Sequence, residues 1–112
     1  MLMTNLEVQI CSSRRQRHSG LCPCCDRHMA LTFHHLIPRK MHRRPRFRRR
    51  YNKAILNQGI YICRDCHKGV HAAYDEMELA MRLNSPEALM SDTLLQRHFR
   101  WVSRQRRAGI DS

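Results

Sequence analysis

Acidic residues and long apolar runs are both scarce in this sequence. Asp and Glu number 9 against 21 Lys and Arg, which gives a formal net charge of +12. The opening stretch, MLMTNLEVQICSSRRQRH, holds only a few apolar side chains before it turns basic. A secretory or membrane-spanning segment needs a continuous apolar stretch. We therefore expect a cytoplasmic protein with no membrane partner.

The shortage of acidic residues also indicates a class of partner. An isoelectric point near 10.5 favours a polyanion, and nucleic acid is the first candidate. The same charge could instead keep a small protein soluble or attract it to an anionic membrane. Charge thus suggests a partner but no chemistry, and it leaves the oligomeric state open.

The chain is short, and it is rich in cysteine. A domain of 112 residues buries too little surface to gain much stability from its core alone. Six cysteines could stabilise it as disulfides or as ligands of a metal. Because disulfides are rare in a reducing compartment, we expect a metal site.

Three zones can be distinguished along the chain, and no solenoid-length repeat is present. Residues 1–20 are a lead-in in which Leu6, Val8 and Ile10 alternate as a short strand. Residues 21–83 form the core zone that carries the motifs below. Residues 84–112 form a basic helical segment, with Ser85 and Pro86 placed to start the first of two short helices.

The core zone is predicted to be a hairpin followed by a helix. The run ALTFHHLI is β-prone and ends at Pro38, and a basic loop follows it. Residues 55–59 read as a turn into a second strand at 60–62. Residues 63–66 then open a helix with Asp65 as its N-cap. An apolar stripe of Val70, Tyr74, Met77 and Met81 extends this helix through residue 81 and should pack on the hairpin.

Two Cys-x2-Cys motifs, Cys22/Cys25 and Cys63/Cys66, carry the strongest local signal. Four thiolates at such spacing are typical of a closed, tetrahedral structural zinc site. Cys24 lies inside the first motif and could replace Cys25 as a ligand. Outside these motifs, Cys11 has no evident partner.

Two histidine pairs accompany the cysteines. Adjacent residues on a strand point to opposite faces, so His34 and His35 are expected to divide the work of metal ligand and base. His67 and His71 are one helical turn apart and can bind a single cation together. Since Cys66 directly precedes His67, a zinc at the cysteines would also fix the helix that carries these histidines.

In the order Cys-x2-Cys, His-His-Leu-Ile-Pro-Arg, Asn, Cys-x2-Cys-His-x3-His, the chain resembles the HNH endonucleases. The segments HHLIPRKMHRR and YICRDCHKGVH are the specific parts, and the resemblance covers about residues 21–107. It implies a small α+β fold with a ββα-metal core, structural zinc knuckles and C-terminal helices. One departure is the basic run at residues 41–44, where the family often has Gly-Gly.

The resemblance also implies roles for individual residues. His34, His67 and His71 would be the ligands of one catalytic divalent cation, which could be Zn, Ni, Mn or Mg. His35, near its ordinary pKa of about 6.5, would act as the general base. Asn57 would be the middle letter of the motif, although Asn52 is a nearby rival and Asn57 also suits a turn.

The implied activity is hydrolysis of DNA that leaves a 5′-phosphate and a 3′-hydroxyl. DNA would be held mainly through its phosphates, because guanidinium groups bind phosphate bidentately without reading bases. The densest basic segment lies between the two predicted strands and should be beside the active site. Its arginines are Arg43, Arg44, Arg46, Arg48, Arg49 and Arg50.

Two other functions fit the same residues. The chain could be a non-catalytic zinc module that binds nucleic acid, with histidines that serve only the structure. It could also be an RNA-cutting enzyme of the same core. A pure binding module, however, has no need of two histidine pairs beside a complete four-thiolate zinc site.

Overall fold

Residues 8–10 and 18–105, which the computed structural model of the protein describes, form an antiparallel sheet and a set of short helices. This confirms the small α+β class. Leu6, Cys11, Arg106 and Arg107 lie outside the described residues. The strands are β1 (Gln9–Ile10), β2 (His18–Leu21), β3 (His28–His35) and β4 (Gln58–Cys63), and the helices are α1 (Pro45–Arg50), α2 (Lys53–Leu56), α3 (Arg64–Ala73), α4 (Glu76–Arg82), α5 (Pro86–Ser91) and α6 (Thr93–Ser103), with a short 3-10 helix at Arg39–Met41.

The sheet has the order β1-β4-β3-β2, and every neighbouring pair is antiparallel. The two strands predicted for the hairpin pair as β3 and β4, in a register that sets His34 opposite Ile60 and His35 opposite Gly59. A Cβ atom at Gly59 would come within 2.2 Å of the His34 carbonyl oxygen. Only glycine therefore permits this close approach of the two strands.

The basic segment between β3 and β4 is helical, so the prediction of a loop there was wrong. Pro45 begins α1, where its missing N–H costs nothing, and the buried side chain of Phe47 anchors that helix. The side chain of Asn52 caps α2 by accepting a hydrogen bond from the Ile55 N–H at 2.9 Å. Phe47 packs in a small second core with Ile37, Met41, Leu56 and Ala80.

The helix that follows β4 is shorter than the apolar stripe predicted. It ends at Ala73, because Tyr74 is extended and Asp75 caps the next helix by accepting from the Glu78 N–H at 2.9 Å. Met81, at the end of the stripe, is half exposed on α4. The N-cap of α3 is Cys63 rather than Asp65, and its sulfur accepts from the Cys66 N–H at 3.4 Å.

The two C-terminal helices are confirmed. Ser85 caps α5 by accepting from the Ala88 N–H at 3.1 Å, with Pro86 in the first turn. The final helix, α6, buries Leu95, Phe99 and Val102 in the main core together with Val70 of α3. None of the helices found among the described residues combines the length and apolar character needed to cross a bilayer.

Candidate metal centres

The four predicted zinc ligands come together at one end of the sheet. Cys22 and Cys25 lie in the turn between β2 and β3, while Cys63 ends β4 and Cys66 is in the first turn of α3. All four side chains are buried. The turn is closed by two backbone hydrogen bonds, from Cys22 N–H to the Arg27 carbonyl (2.9 Å) and from Asp26 N–H to the Cys22 carbonyl (2.7 Å).

The distances between the sulfur atoms fit a tetrahedral zinc. The Sγ atoms of Cys22 and Cys66 are 3.9 Å apart and those of Cys25 and Cys63 are 3.7 Å apart, and all four lie within 4.8 Å of one another. Sulfurs bound at about 2.3 Å to a tetrahedral zinc are separated by about 3.8 Å, whereas disulfide sulfurs are about 2.05 Å apart. The four cysteines can therefore bind a structural metal ion such as zinc.

The protonation of the cluster also favours a cation. Hydrogen bonds from the Cys24, Cys63 and Cys66 thiols lower the pKa of Cys22. The hydrogen bond to Cys22, together with burial, raises the pKa of Cys66. Ionisation of one thiol therefore disfavours ionisation of its neighbours, and a cation is needed before all four can be ionised together.

A residue that the motif did not indicate supports this cluster. Arg27 is nearly buried, and its Nη2 lies 3.8 Å from the Cys63 sulfur and donates to Asp65 at 3.0 Å. Its Nη1 donates to the Gln105 carbonyl at 3.0 Å. A guanidinium held in this way places a fixed positive charge beside the sulfur of Cys63. The sequence offers no spacing signal for Arg27, because its partners are more than thirty residues away.

Cys25, and not its neighbour Cys24, completes the group of four. Cys25 is 4% exposed and its sulfur is among the four grouped atoms, whereas Cys24 is half-buried and packs against the rim of the core. The hydrogen bond with Cys22 raises the pKa of Cys24, so that Cys24 favours its thiol form. The choice that the sequence left open between the two is decided by the direction of the turn.

A second cluster joins His34 of β3 to His67 and His71 of α3. Their ring centroids are separated by 5.1 Å (His34–His67), 5.4 Å (His34–His71) and 5.0 Å (His67–His71). One ring nitrogen of each can be chosen so that the three lie within 4.8 Å of one another. The three imidazoles that the family resemblance assigned to one cation are thus neighbours in space.

His34 is fully buried, and neither of its ring nitrogens has a hydrogen-bond partner among the described residues. An unsatisfied buried polar group costs about 1–3 kcal/mol, so such a side chain normally has a ligand. Burial, followed by the nearby His67, His71 and His35, lowers the pKa of His34 to about 3. Burial also lowers the pKa of His67 to about 4, with His71 and His35 contributing. Both imidazoles are therefore neutral near pH 7, which is the form that binds a cation.

Thr32 determines which nitrogen of His67 is free. The single hydroxyl proton of Thr32 is donated to the Ile62 carbonyl at 3.0 Å. The contact of 2.8 Å between Thr32 Oγ1 and His67 Nδ1 must then have Nδ1–H as its donor. That tautomer leaves the Nε2 lone pair of His67 available to a metal, as in other metal sites whose histidines are oriented by a hydrogen bond.

His35 stands apart from the three clustered histidines. Its ring centroid lies 4.9 Å from that of Phe33 and 5.6 Å from that of His42. Burial, and then His42 and Arg39, lower its pKa to about 4, so the expected value near 6.5 was wrong. His42 was missed by the sequence analysis. Its Nε2–H donates to the Ile37 carbonyl at 2.7 Å, which fixes its ring beside His35.

Of the two rival asparagines, Asn52 is engaged in capping α2, as described above. Asn57 is the C-cap residue of the same helix, and no hydrogen bond of its side chain is found within the described part of the chain. Both asparagines line a cavity next to His42. Because the Asn52 side chain is occupied by its capping hydrogen bond, the Asn57 amide is the more available of the two to bind another group.

Comparison with known proteins places the chain among its relatives. The uncharacterized protein YisB of Bacillus subtilis (strain 168) is 34% identical to it over 88 residues, which cover 78% of this chain and 77% of YisB. The chain belongs to the YisB family. No family model and no solved structure matches it. Because the name YisB states no activity, the chemistry of this YisB relative has to be argued from its site.

The arginines of the basic segment do not share one surface in this YisB relative. Arg48 lines the cavity beside His42, and Arg43 lies in an adjoining basic depression. Arg46 contacts the sulfur of Met81, and the guanidinium of Arg50 lies over the Tyr51 ring. All six arginine side chains are exposed, Arg44 and Arg49 included.

We expect Cys66→Ser to lose one bound zinc per chain and most of its stability, because it removes a ligand from the closed cluster. Cys24→Ser is the matched control, and it should keep the zinc and unfold within about 0.5 kcal/mol of the parent. Elemental analysis and denaturant unfolding measure both effects. Loss of zinc from Cys24→Ser but not from Cys66→Ser would show that the ligand set is wrong.

Proposed function

We propose that the protein is a metal-dependent HNH-type endonuclease that hydrolyses DNA phosphodiester bonds. One observation carries the proposal. His34 is fully buried, lacks a hydrogen-bond partner among the described residues and faces two further imidazoles, beside a separate group of four cysteines. A zinc module would be complete with the cysteines alone, so the second cluster calls for a second ion.

The arrangement of elements supports the same proposal. β3 and β4 are antiparallel, and α3 follows β4 without a linker. His34 comes from the first of these strands, and His67 and His71 come from the helix. We propose that these three elements are the ββα-metal core implied by the motif, with the cysteine cluster fixing the start of the helix.

His34, His67 and His71 would hold the catalytic divalent cation. Three imidazoles with open positions suit a transition ion such as Zn, Ni or Mn, and Mg could also bind there with phosphate and water oxygens completing its shell. When bound, the cation supplies Lewis acidity at a phosphate oxygen and at the leaving oxygen. Thr32 keeps His67 in the tautomer that this requires.

His35 would act as the general base. Because its pKa is about 4, it is neutral near pH 7 and can accept a proton, although it is a weaker base than a histidine in water. It takes a proton from the water that attacks phosphorus. The bond from phosphorus to the 3′ oxygen breaks, and that oxygen takes a proton from solvent. The products are a 5′-phosphate and a 3′-hydroxyl.

We expect His35→Ala to cut a supercoiled plasmid about 10²- to 10⁴-fold more slowly than the parent, because the substitution removes the general base and leaves the fold intact. Zinc content and DNA affinity should match the parent. The assay is run with each of Mg, Mn, Ni and Zn. A variant that nicks the plasmid as fast as the parent would refute the mechanism.

The number of ions separates the nuclease from a non-catalytic zinc module. In excess zinc we expect two ions per parent chain, one at the cysteines and one at the histidines. His34→Ala should retain one, because the cysteine cluster does not depend on it. Elemental analysis after removal of free zinc gives the count. A parent chain that binds a single ion would favour the module.

Thr32→Val should weaken binding of the second ion by about 10- to 100-fold, because His67 Nδ1–H loses its acceptor and the tautomer is no longer fixed. Thr32→Ser keeps the hydroxyl and should bind as the parent does. Competition titration with a chromophoric chelator measures the affinity. Equal affinities for the valine and serine variants would mean that Thr32 plays no part in orienting His67.

A further inference from the structure

A cavity of about 420 Å³ lies in the segment that joins β3 to β4. His42 lines it, and the His42 ring is 5.6 Å from that of His35. The volume is within the range of about 300–1,000 Å³ that is typical of ligand sites. The cavity thus opens next to the proposed general base and not at a remote surface.

Positive charge converges on this cavity from three separate elements. Arg39 comes from the 3-10 helix, Arg48 from α1 and Lys53 from α2. No carboxylate among the described residues lines it, and the remaining polar residues that line it include Asn57 and Tyr51. Three cations in a cavity whose described lining holds no carboxylate favour an anionic ligand.

The buried side chain of Phe47 determines which arginines face the cavity. At about 100° per residue, the neighbours of Phe47 in α1 lie on opposite flanks of the helix. Arg48 lines the cavity, whereas Arg46 contacts Met81 on the other side. The two arginines carry the same charge on the same helix, and they differ in the surface that they face.

We propose that this cavity binds the backbone phosphate of the nucleotide next to the cleaved bond, with Arg39, Arg48 and Lys53 as its cationic ligands. The inference rests on the proposed nuclease function. The cavity begins at His42, whose ring is 5.6 Å from that of His35, so a strand whose scissile phosphate is at His35 can reach the cavity with its neighbouring nucleotide. Asn57 and Tyr51 offer hydrogen bonds to the sugar and phosphate oxygens of that nucleotide. The cavity therefore positions the strand without reading its bases.

Salt dependence of binding distinguishes this site from a general attraction to basic charge. The slope of log K against log salt is negative, and each duplex phosphate contact that is lost reduces its magnitude by about 0.9. We would measure the affinity of a fluorescent DNA duplex by anisotropy between about 50 and 200 mM salt. His35→Ala serves as the background, so that the duplex stays intact.

We expect Arg48→Gln and Lys53→Gln each to reduce the magnitude of this slope by about 0.9. Arg46→Gln removes the same charge from the opposite flank of α1 and should reduce the magnitude by less than half of that amount. Zinc content and circular dichroism verify that each variant is folded. Equal losses in all three variants, no loss in Arg48→Gln and Lys53→Gln, or no binding of the duplex by the background would overturn the cavity assignment.

Cleavage by the parent separates this result from the proposed function. If the parent nicks plasmid DNA but the three variants change the slope equally, the nuclease proposal stands and the cavity assignment is refuted. If the parent binds the duplex without ever cutting it and the variants change the slope unequally, the phosphate site stands and the nuclease proposal is refuted.

Discussion

Four sulfur atoms at the junction of β4 and α3 constrain the rest of this molecule. Structural zinc contributes about 10–16 kcal/mol to the folding of zinc-finger peptides, and a domain of this length is stable by about 5–15 kcal/mol in total. An ion at Cys22, Cys25, Cys63 and Cys66 would therefore decide whether the chain folds at all. It would also join the β2–β3 turn to the first turn of α3.

That constraint has a direct consequence for the histidines. Cys66 and His67 are adjacent, so the direction of α3 at the cysteines fixes where His67 and His71 stand. The β3–β4 register brings His34 to the same place from the sheet, and it depends on Gly59, where a side chain would strike the backbone of His34. Two cysteine pairs and one glycine thus assemble three imidazoles around a common point.

The basic segment depends on a different interaction. A second, smaller core around Phe47 anchors the short helices of this segment. The orientation of the helices then fixes the surface that each arginine faces. In the sequence, charge alone could not distinguish the six arginines from one another. Packing separates them, because Arg48 joins Arg39 and Lys53 at a cavity while Arg46 and Arg50 lie against Met81 and Tyr51.

The sequence by itself determined the groups with local signatures. The cysteine pairs, the spacing of His67 and His71, the two strands and the Ser85–Pro86 helix start all depend on neighbours a few residues away, and short spacing is what a sequence displays directly. The tertiary structure decided what depends on distant partners. Arg27, Thr32 and His42 acquire their roles through contacts that no periodicity encodes, and the choice of Cys25 over Cys24 follows from the path of a turn. The break at Tyr74 arose because Asp75 caps a new helix, a local hydrogen bond that overrode the apolar stripe. The low pKa of His35 follows from burial and from the charges of His42 and Arg39, which only the folded chain brings to it.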